Sequence, residues 1–225
     1  MKICIVIPVY NESRAIGRIV EQVRSRGWDA VVIDDGSTDQ SGVIAKEKGA
    51  TVITHPSKQG KGISLRDGFA YAVARGFDGV VAMDGDGQHA IEDVNTFLAK
   101  AQECPDSVIS GNRMANCHSM PWLRFLVNHM MSWSISLICR QPIPDSQCGF
   151  RYIGTKVLKT ITLQSDEFEI ETEVLVQASR HGLKIYAVPI QTIYRDELSK
   201  INPFRDTIRF FRYVAKELLT PRPPR

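Results

Sequence analysis

The stretch ICIVIPVYNE, residues 3–12, runs seven apolar, largely β-branched residues straight into Tyr10, Asn11 and Glu12. A strand with one wet face alternates polar and apolar residues, whereas a continuous run needs cover on both faces. AVVIDD (30–35) and GVVAMD (79–84) repeat the pattern, and each ends in carboxylates. Helix-period segments lie between them at 12–26, 40–48 and 61–75, each followed closely by a glycine that can stop a helix. Strand and helix in alternation predict a mostly parallel central sheet flanked by helices, with right-handed crossovers. The fold class is therefore α/β, with further strands expected at 50–54 and 107–112. The second half is less regular. It offers a long amphipathic stretch at 121–139, a turn-rich PIPDSQCGFR (142–151), a helix at 169–181, a strand in KIYAVPI and a basic helix at 203–219.

The 225 residues suit one α/β unit, and a net charge of +3 gives no case for nucleic acid. The basic balance is local: seven basic residues face two acidic ones from Lys200 onward, where Phe204, Ile208, Phe211, Val214 and Leu218 recur at helical spacing. Five cysteines, an odd number with no C-x-x-C pair, fit a reducing cytosol and no zinc or disulfide framework. The N-terminus lacks the small-residue cleavage site of a signal peptide. Trp122 to Cys139 carries Arg124, Asn128 and His129, which makes spanning a bilayer costly but leaves lying on one open.

The polar clusters PVYNE, DDGSTD and DGDGQH all follow predicted parallel strands, at the carboxyl edge where open α/β sheets bind ligands. Asp84, Asp86 and Gln88 begin like a calcium loop, but the sixth and twelfth positions are His89 and Asn95 rather than Gly and Glu. Gly60-Lys61 suggests a P-loop, yet His55 stands where its first glycine should be and Gly62 where Ser or Thr must hold magnesium. No G-x-G-x-x-G follows the first strand. Two carboxylates this close at a strand end repel unless a cation neutralises them, and oxygen ligands on a partial cage suit Mg²⁺ or Mn²⁺ completed by substrate phosphates. Gly85 and Gly87 let the backbone turn and a bulky ligand approach.

Taken in order, IPVYNE (7–12), DDGSTD (34–39), GKGISLRDGF (60–69), MDGDGQH (83–89), DSQCGFR (145–151) and FEIETE (168–173) resemble the family 2 glycosyltransferases of GT-A fold, in the branch of dolichyl-phosphate mannose and polyprenyl-phosphate glucose synthases. The resemblance implies a single Rossmann-like nucleotide-diphospho-sugar transferase domain over 1–200, with a donor and metal half (1–112) and an acceptor half (113–200), then a basic amphipathic helix and Pro-rich tail (201–225). It implies that Pro8, Tyr10, Glu12, Ile33 and Asp35 frame the nucleoside, that Asp34 orients its loop, and that Lys61 lies near the nucleotide. Asp84, Gly85 and Asp86 would meet the diphosphate, with Asp84, Asp86 and Gln88 as metal ligands. Arg113 resembles an arginine that holds the donor or its leaving phosphate, and one acid of FEIETE, Glu169, is expected to face the site.

Acceptor choice sets the remaining chemistry. A sugar hydroxyl must lose a proton as it attacks, so it needs a carboxylate base, while a polyprenyl phosphate is already an anion and needs cations to place it. Arg124, Arg151, Arg195 and Lys200 are the candidates for that phosphate. Asp145 is either a base for a hydroxyl acceptor or the group that orders its loop and arginine; the second reading is preferred. No Trp follows an Arg, so the Q-x-x-R-W motif of processive synthases is missing. Many relatives carry C-terminal membrane helices and this sequence ends in PRPPR, so a lipid acceptor is expected to be reached from the cytoplasmic membrane surface, directly or through a membrane-protein partner. A saccharide hydroxyl acceptor in cell-surface polysaccharide synthesis, and a non-catalytic nucleotide-sugar or membrane-binding module, are the alternatives.

Overall fold

The apolar run at 3–9 forms the interior strand β1 (Ile3–Val9) in a computed structural model, which describes residues 1–115, 122–191, 193, 210–215 and 217. β2 (Asp29–Asp34) pairs with β1 in parallel, setting Val6 opposite Val31, and β4 (Gly79–Ala82) pairs on the other side, setting Val6 opposite Ala82. β3 (Thr51–Thr54) extends the sheet beyond β2. Helices α1 (Ile16–Ser25), α2 (Ser41–Glu47) and α3 (Lys61–Ala74) supply the crossovers where the periodicity places them. α1 begins later than expected, at Ile16, because residues 12–15 form a turn in which the Glu12 carbonyl accepts from the N–H groups of Ala15 and Ile16.

The seven strands run in the order β3-β2-β1-β4-β6-β5-β7. β5 (Val108–Asn112) and β7 (Ile185–Pro189) are parallel, but β6 (Arg151–Gly154) lies antiparallel between β4 and β5. Sequence reading placed a turn there and no strand. Four residues after a turn-rich segment carry no period, and only the gap between β4 and β5 makes them a strand.

Alternation along β1 divides the core. Ile3, Ile5, Ile7 and Val9 face α1, α2 and α4 (Asp93–Glu103), whereas Cys4 and Val6 face α3, α5 (Trp122–Cys139) and α7 (Ile170–Arg180). The short α6 (Thr155–Thr160) follows β6. Residues 210–215 are helical, and Phe210 and Val214 join the second of these layers. The stripe read from the sequence groups Phe211 with Val214; Val214 is buried, but Phe211 is 45 % exposed and Phe210 is buried in its place, with Glu217 paired to Arg180 of α7 at 2.8 Å. Phe204, Ile208 and Leu218 lie outside the described residues.

An aromatic column links core to sheet edge. Phe97 of α4 meets Phe150 at 4.7 Å between ring centroids, and Phe150 meets His89 at 4.7 Å. Phe97 is fully buried. Phe97→Ala is expected to lower unfolding free energy by about 3–5 kcal/mol, measured by urea titration.

Candidate active site

The ends of β1 and β2 are tied together by side chains acting on backbone. Asn11, at a positive φ of 55° that asparagine tolerates, accepts through Oδ1 from the Thr38 and Asp39 N–H groups at 2.8 and 3.3 Å. Its own N–H donates to Ser37 Oγ at 3.0 Å, and Ser41 Oγ accepts from the Glu12 N–H at 2.8 Å. Asp34 Oδ1 accepts from the Ser37 N–H at 3.0 Å, the loop-ordering part assigned to it. Asp39 accepts from Ser41 and Ser13; these hydrogen bonds prevail over its partial burial and lower its pKa to about 2. The result is a preformed ledge with Pro8, Tyr10 and Glu12 partly exposed along it.

Two residues assigned to the nucleoside are used differently. Ile33 is fully buried, its side chain in the α3 layer of the core, so only its backbone lies near the ledge. Asp35 is 4 % exposed and spent on its own chain, because Oδ1 accepts from the Gln59 N–H at 2.8 Å and Oδ2 from the Gly60 N–H at 2.9 Å. His55 completes this anchor. Its Nδ1 is 2.8 Å from Asp35 Oδ1 and its Nε2 is 2.9 Å from Asp67 Oδ2. Burial disfavours the charged ring, yet hydrogen bonds to the two carboxylates outweigh it and raise the His55 pKa. The loop held this way carries Lys58, whose ammonium sits 4.2 Å from the centre of the Tyr10 ring, and delivers Lys61 at the start of α3.

Lys61 is the electrostatic centre. Its Nζ lies 2.6 Å from Asp84 Oδ1 and 2.5 Å from Glu171 Oε1. Desolvation opposes its charge, but the two carboxylates prevail and raise its pKa. Asp84 responds in the opposite sense: against its own burial, Lys61 and then His89, whose Nε2 is 3.5 Å away, hold its carboxyl well below the usual range. Asp86 is pushed up by burial and then by the charge of Asp84, although its Oδ1 accepts from the Gln88 N–H at 2.9 Å. Gly85 is pressed on β1: a Cβ there would meet Val9 Cγ1 at 2.6 Å and the Pro8 carbonyl at 3.2 Å. At Gly149 the chain passes so close that a Cβ would stand 2.6 Å from Glu171 Oε1 and 3.2 Å from both Asp84 Oδ2 and Lys61 Nζ.

These residues fit a divalent cation. Asp84 and Asp86 offer hard oxygens whose mutual repulsion, visible in the raised Asp86 pKa, a cation relieves. Among the described residues no group of three or more His, Cys, Asp or Glu could hold a metal, so Asp84 and Asp86 offer a partial cage. The Nδ1 atom of His89 is buried and has no hydrogen-bond partner among the described residues, a polar atom for a ligand to satisfy. Gln88 is only partly buried, with its carbonyl accepting from the Ile193 N–H at 2.9 Å.

In the segment before β6, Asp145 is fully buried and binds Arg113 in bidentate fashion, Oδ2 to Nε at 2.8 Å and Oδ1 to Nη2 at 3.0 Å. It also accepts from the Arg113 and Gln147 N–H groups, both at 3.2 Å. The arginine that Asp145 orders is therefore Arg113, not Arg151 of its own loop. Arg151 is 2 % exposed, with burial lowering its pKa, and it donates to the carbonyls of Glu171 and Ser146. That inward position removes it from the groups that could meet an acceptor phosphate or the reacting atoms. Glu171 faces the site, its Oε1 2.5 Å from Lys61 Nζ. Glu173 is buried and caps the Gln164 and Ser165 N–H groups, both at 2.9 Å. The side chain of Arg124, and all of Arg195 and Lys200, lie outside the described residues. Sequence reading missed His55 and His89; the one signal for His89 was its place directly after the D-x-D-x-Q run.

The glycosyl transferase family 2 model matches residues 4–161. The chain is 32 % identical to glycosyltransferase AglJ of Haloferax volcanii over 209 residues, covering 91 % of this chain and 68 % of that one. It is 29 % identical to UDP-N-acetylglucosamine–dolichyl-phosphate N-acetylglucosaminyltransferase of Methanococcus voltae, with 86 % of each chain covered. Among solved structures, glucosyl-3-phosphoglycerate synthase from Mycobacterium tuberculosis, in complex with Mn²⁺, UDP-glucose and phosphoglyceric acid, superposes with a TM-score of 0.72 at 19 % identity, over 97 % of this chain and 78 % of that one. That neighbour shares the GT-A fold.

The His55 anchor has a pH signature. A group whose pKa is raised on folding stabilises the fold below its unfolded value, about 6.5, and loses that contribution as pH rises through the folded value. The stability difference between the wild type and His55→Gln should therefore be largest below about pH 6.5 and shrink above it, measured by denaturant titration across pH.

Proposed function

The chain belongs to glycosyl transferase family 2, and from that premise we propose that it moves a hexosyl group from a UDP- or GDP-linked sugar to a polyprenyl phosphate by a metal-dependent, inverting displacement. The observation that carries the acceptor assignment is the state of Asp145. Fully buried and bonded to Arg113 at two points, it is not placed to take a proton from a hydroxyl. A lipid phosphate needs no such base, since its oxygen attacks the anomeric carbon as an anion while the bond from that carbon to the diphosphate breaks. The dolichyl-phosphate acceptor in the name of the Methanococcus relative supports the same choice.

On this reading the ledge formed by Pro8, Tyr10 and Glu12 receives the nucleoside, and Asp35 acts one step removed by holding the 55–60 loop beneath it. Asp84 and Asp86, with Gln88, would hold Mg²⁺ or Mn²⁺, which when bound neutralises charge growing on the leaving nucleoside diphosphate. Lys61, paired with Asp84 and Glu171, lies within reach of the same site and would supply a positive charge to the phosphates, with Glu171 keeping it in place. Arg113, fixed in direction by Asp145, holds the leaving group. Arg124, Arg195 and Lys200 remain the cations assigned to the acceptor phosphate. Such an acceptor places the working enzyme at a membrane surface, on the cytoplasmic side where nucleotide sugars are supplied.

The test is a donor panel of UDP-glucose, UDP-N-acetylglucosamine and GDP-mannose with Mg²⁺ or Mn²⁺ and a short-chain polyprenyl phosphate, scored as lipid-linked sugar. A chelator should abolish product, and Asp84→Ala or Asp86→Ala should lower turnover on the order of 10²-fold or more without changing the circular dichroism. Full activity in either variant refutes the site. Reaction with saccharide hydroxyls and with no lipid phosphate refutes the acceptor.

A further inference from the structure

Helix α5 carries an uncovered apolar stripe. Trp122 (75 % exposed), Leu126 (54 %), Met130 (47 %), Trp133 (61 %) and Leu137 (58 %) stand outward. At 100° per residue they fall within about 80° of arc, along about 22 Å of helix. The inward side packs Met131, Ile135 and Cys139 on the core and adds hydroxyls beside them. Ser132 Oγ accepts from the Ser146 N–H at 2.9 Å, and Ser136 Oγ accepts from the Ile143 N–H at 3.0 Å. A water-facing helix is polar on its outer side, and a contiguous exposed stripe, unlike a lone exposed leucine, marks a surface that something covers.

We propose that this stripe is the face by which the protein lies directly on a lipid surface containing anionic headgroups, an inference that rests on the lipid-phosphate acceptor assigned above. Charge favours that occupant over a generic protein surface. No Asp or Glu occurs between Asp106 and Asp145, while Arg124 and Arg140 lie near the two ends of α5. Nothing acidic on this segment repels an anionic headgroup, and the arginines attract it. Two tryptophans on one stripe suit the headgroup boundary, where an apolar ring with one polar N–H is best accommodated. Among the described residues no helix is long and apolar enough to cross a membrane, and the inner face of α5 packs on the core through Met131 and Ile135, so the helix lies on the bilayer and not across it. The inner hydroxyls hold the 143–147 loop, which carries Asp145 and through it Arg113. Docking by the outer face thus brings the acceptor side of the site up to the headgroup layer.

The experiment measures flotation with vesicles of phosphatidylcholine alone and of phosphatidylcholine with phosphatidylglycerol, together with tryptophan emission. The variant is the triple substitution Leu126→Gln, Met130→Gln and Leu137→Gln, which keeps both tryptophans as reporters and leaves the inner face intact. The wild type should bind, more tightly with the anionic lipid, and its emission should shift to the blue. The triple variant should bind at least about tenfold more weakly with unchanged thermal unfolding. Its transfer to a short, water-soluble polyprenyl phosphate should match the wild type, and its transfer to a long-chain acceptor embedded in vesicles should fall with binding. The proposal is overturned if the wild type binds neither vesicle, if the triple variant binds as the wild type does, or if the stripe instead holds a dimer that the triple variant dissociates in the absence of vesicle binding. Vesicle binding that responds to the triple variant, with no transfer to any lipid phosphate, upholds the docking face and removes the acceptor assignment.

Discussion

Carboxylates gathered at the carboxyl edge of a parallel sheet must be neutralised, and in this protein one ammonium does it. Lys61 stands between Asp84 and Glu171, which come from β4's end and from α7. Removing Lys61 would leave Asp84 and Glu171 facing each other with their charge unopposed, which costs far more than an exposed pair contributes, whereas losing either carboxylate leaves Lys61 paired with the other. The cluster therefore ties the end of β4 to α7 while keeping Asp84 ionised. A divalent ion bound there would find the anion already formed.

The loops around that cluster are held by a common device, side chains satisfying backbone N–H groups that no strand or helix pairs. Asn11, Asp34, Asp35, Asp145 and Glu173 each accept from the backbone of a turn. Loops organised this way keep their shape before a ligand arrives, so less ordering entropy is lost on binding. Acidic residues that look like a reservoir of catalysts are in large part the scaffold of the binding ledge. His55 belongs to the same scaffold, joining the ends of β2 and β3 to α3 through two carboxylates.

The chain after β5 follows a different logic. α5 turns its serines inward to hold the loop bearing Asp145, and its tryptophans outward. One helix thereby links an outer apolar surface to the arginine of the site. The C-terminal helix, by contrast, directs Phe210 and Val214 into the core and is fastened by the Glu217–Arg180 pair. Of the two amphipathic segments visible in sequence, one is packed and the other is open.

The sequence by itself determined the α/β class, strands β1 to β5 and the D-x-D run at a strand end, because hydrophobic period and turn chemistry are local properties that survive without knowledge of the rest of the chain. It also placed Lys61 and Asp84 among the site residues, since their motifs are contiguous. Only the tertiary structure decided who pairs with whom. Lys61 meets Glu171 across 110 residues of chain and Arg113 meets Asp145 across 32, so neither partnership leaves a trace in spacing. Arg151 read as a candidate for the acceptor phosphate and is a buried tie in three dimensions, and Asp145 has the ordering role preferred for it but toward Arg113, because burial and pairing are properties of the surroundings and not of the residue. β6 and the outward face of α5 are of the same kind: a strand formed by the gap it fills, and an apolar stripe left exposed beside an inner face that packs on the core.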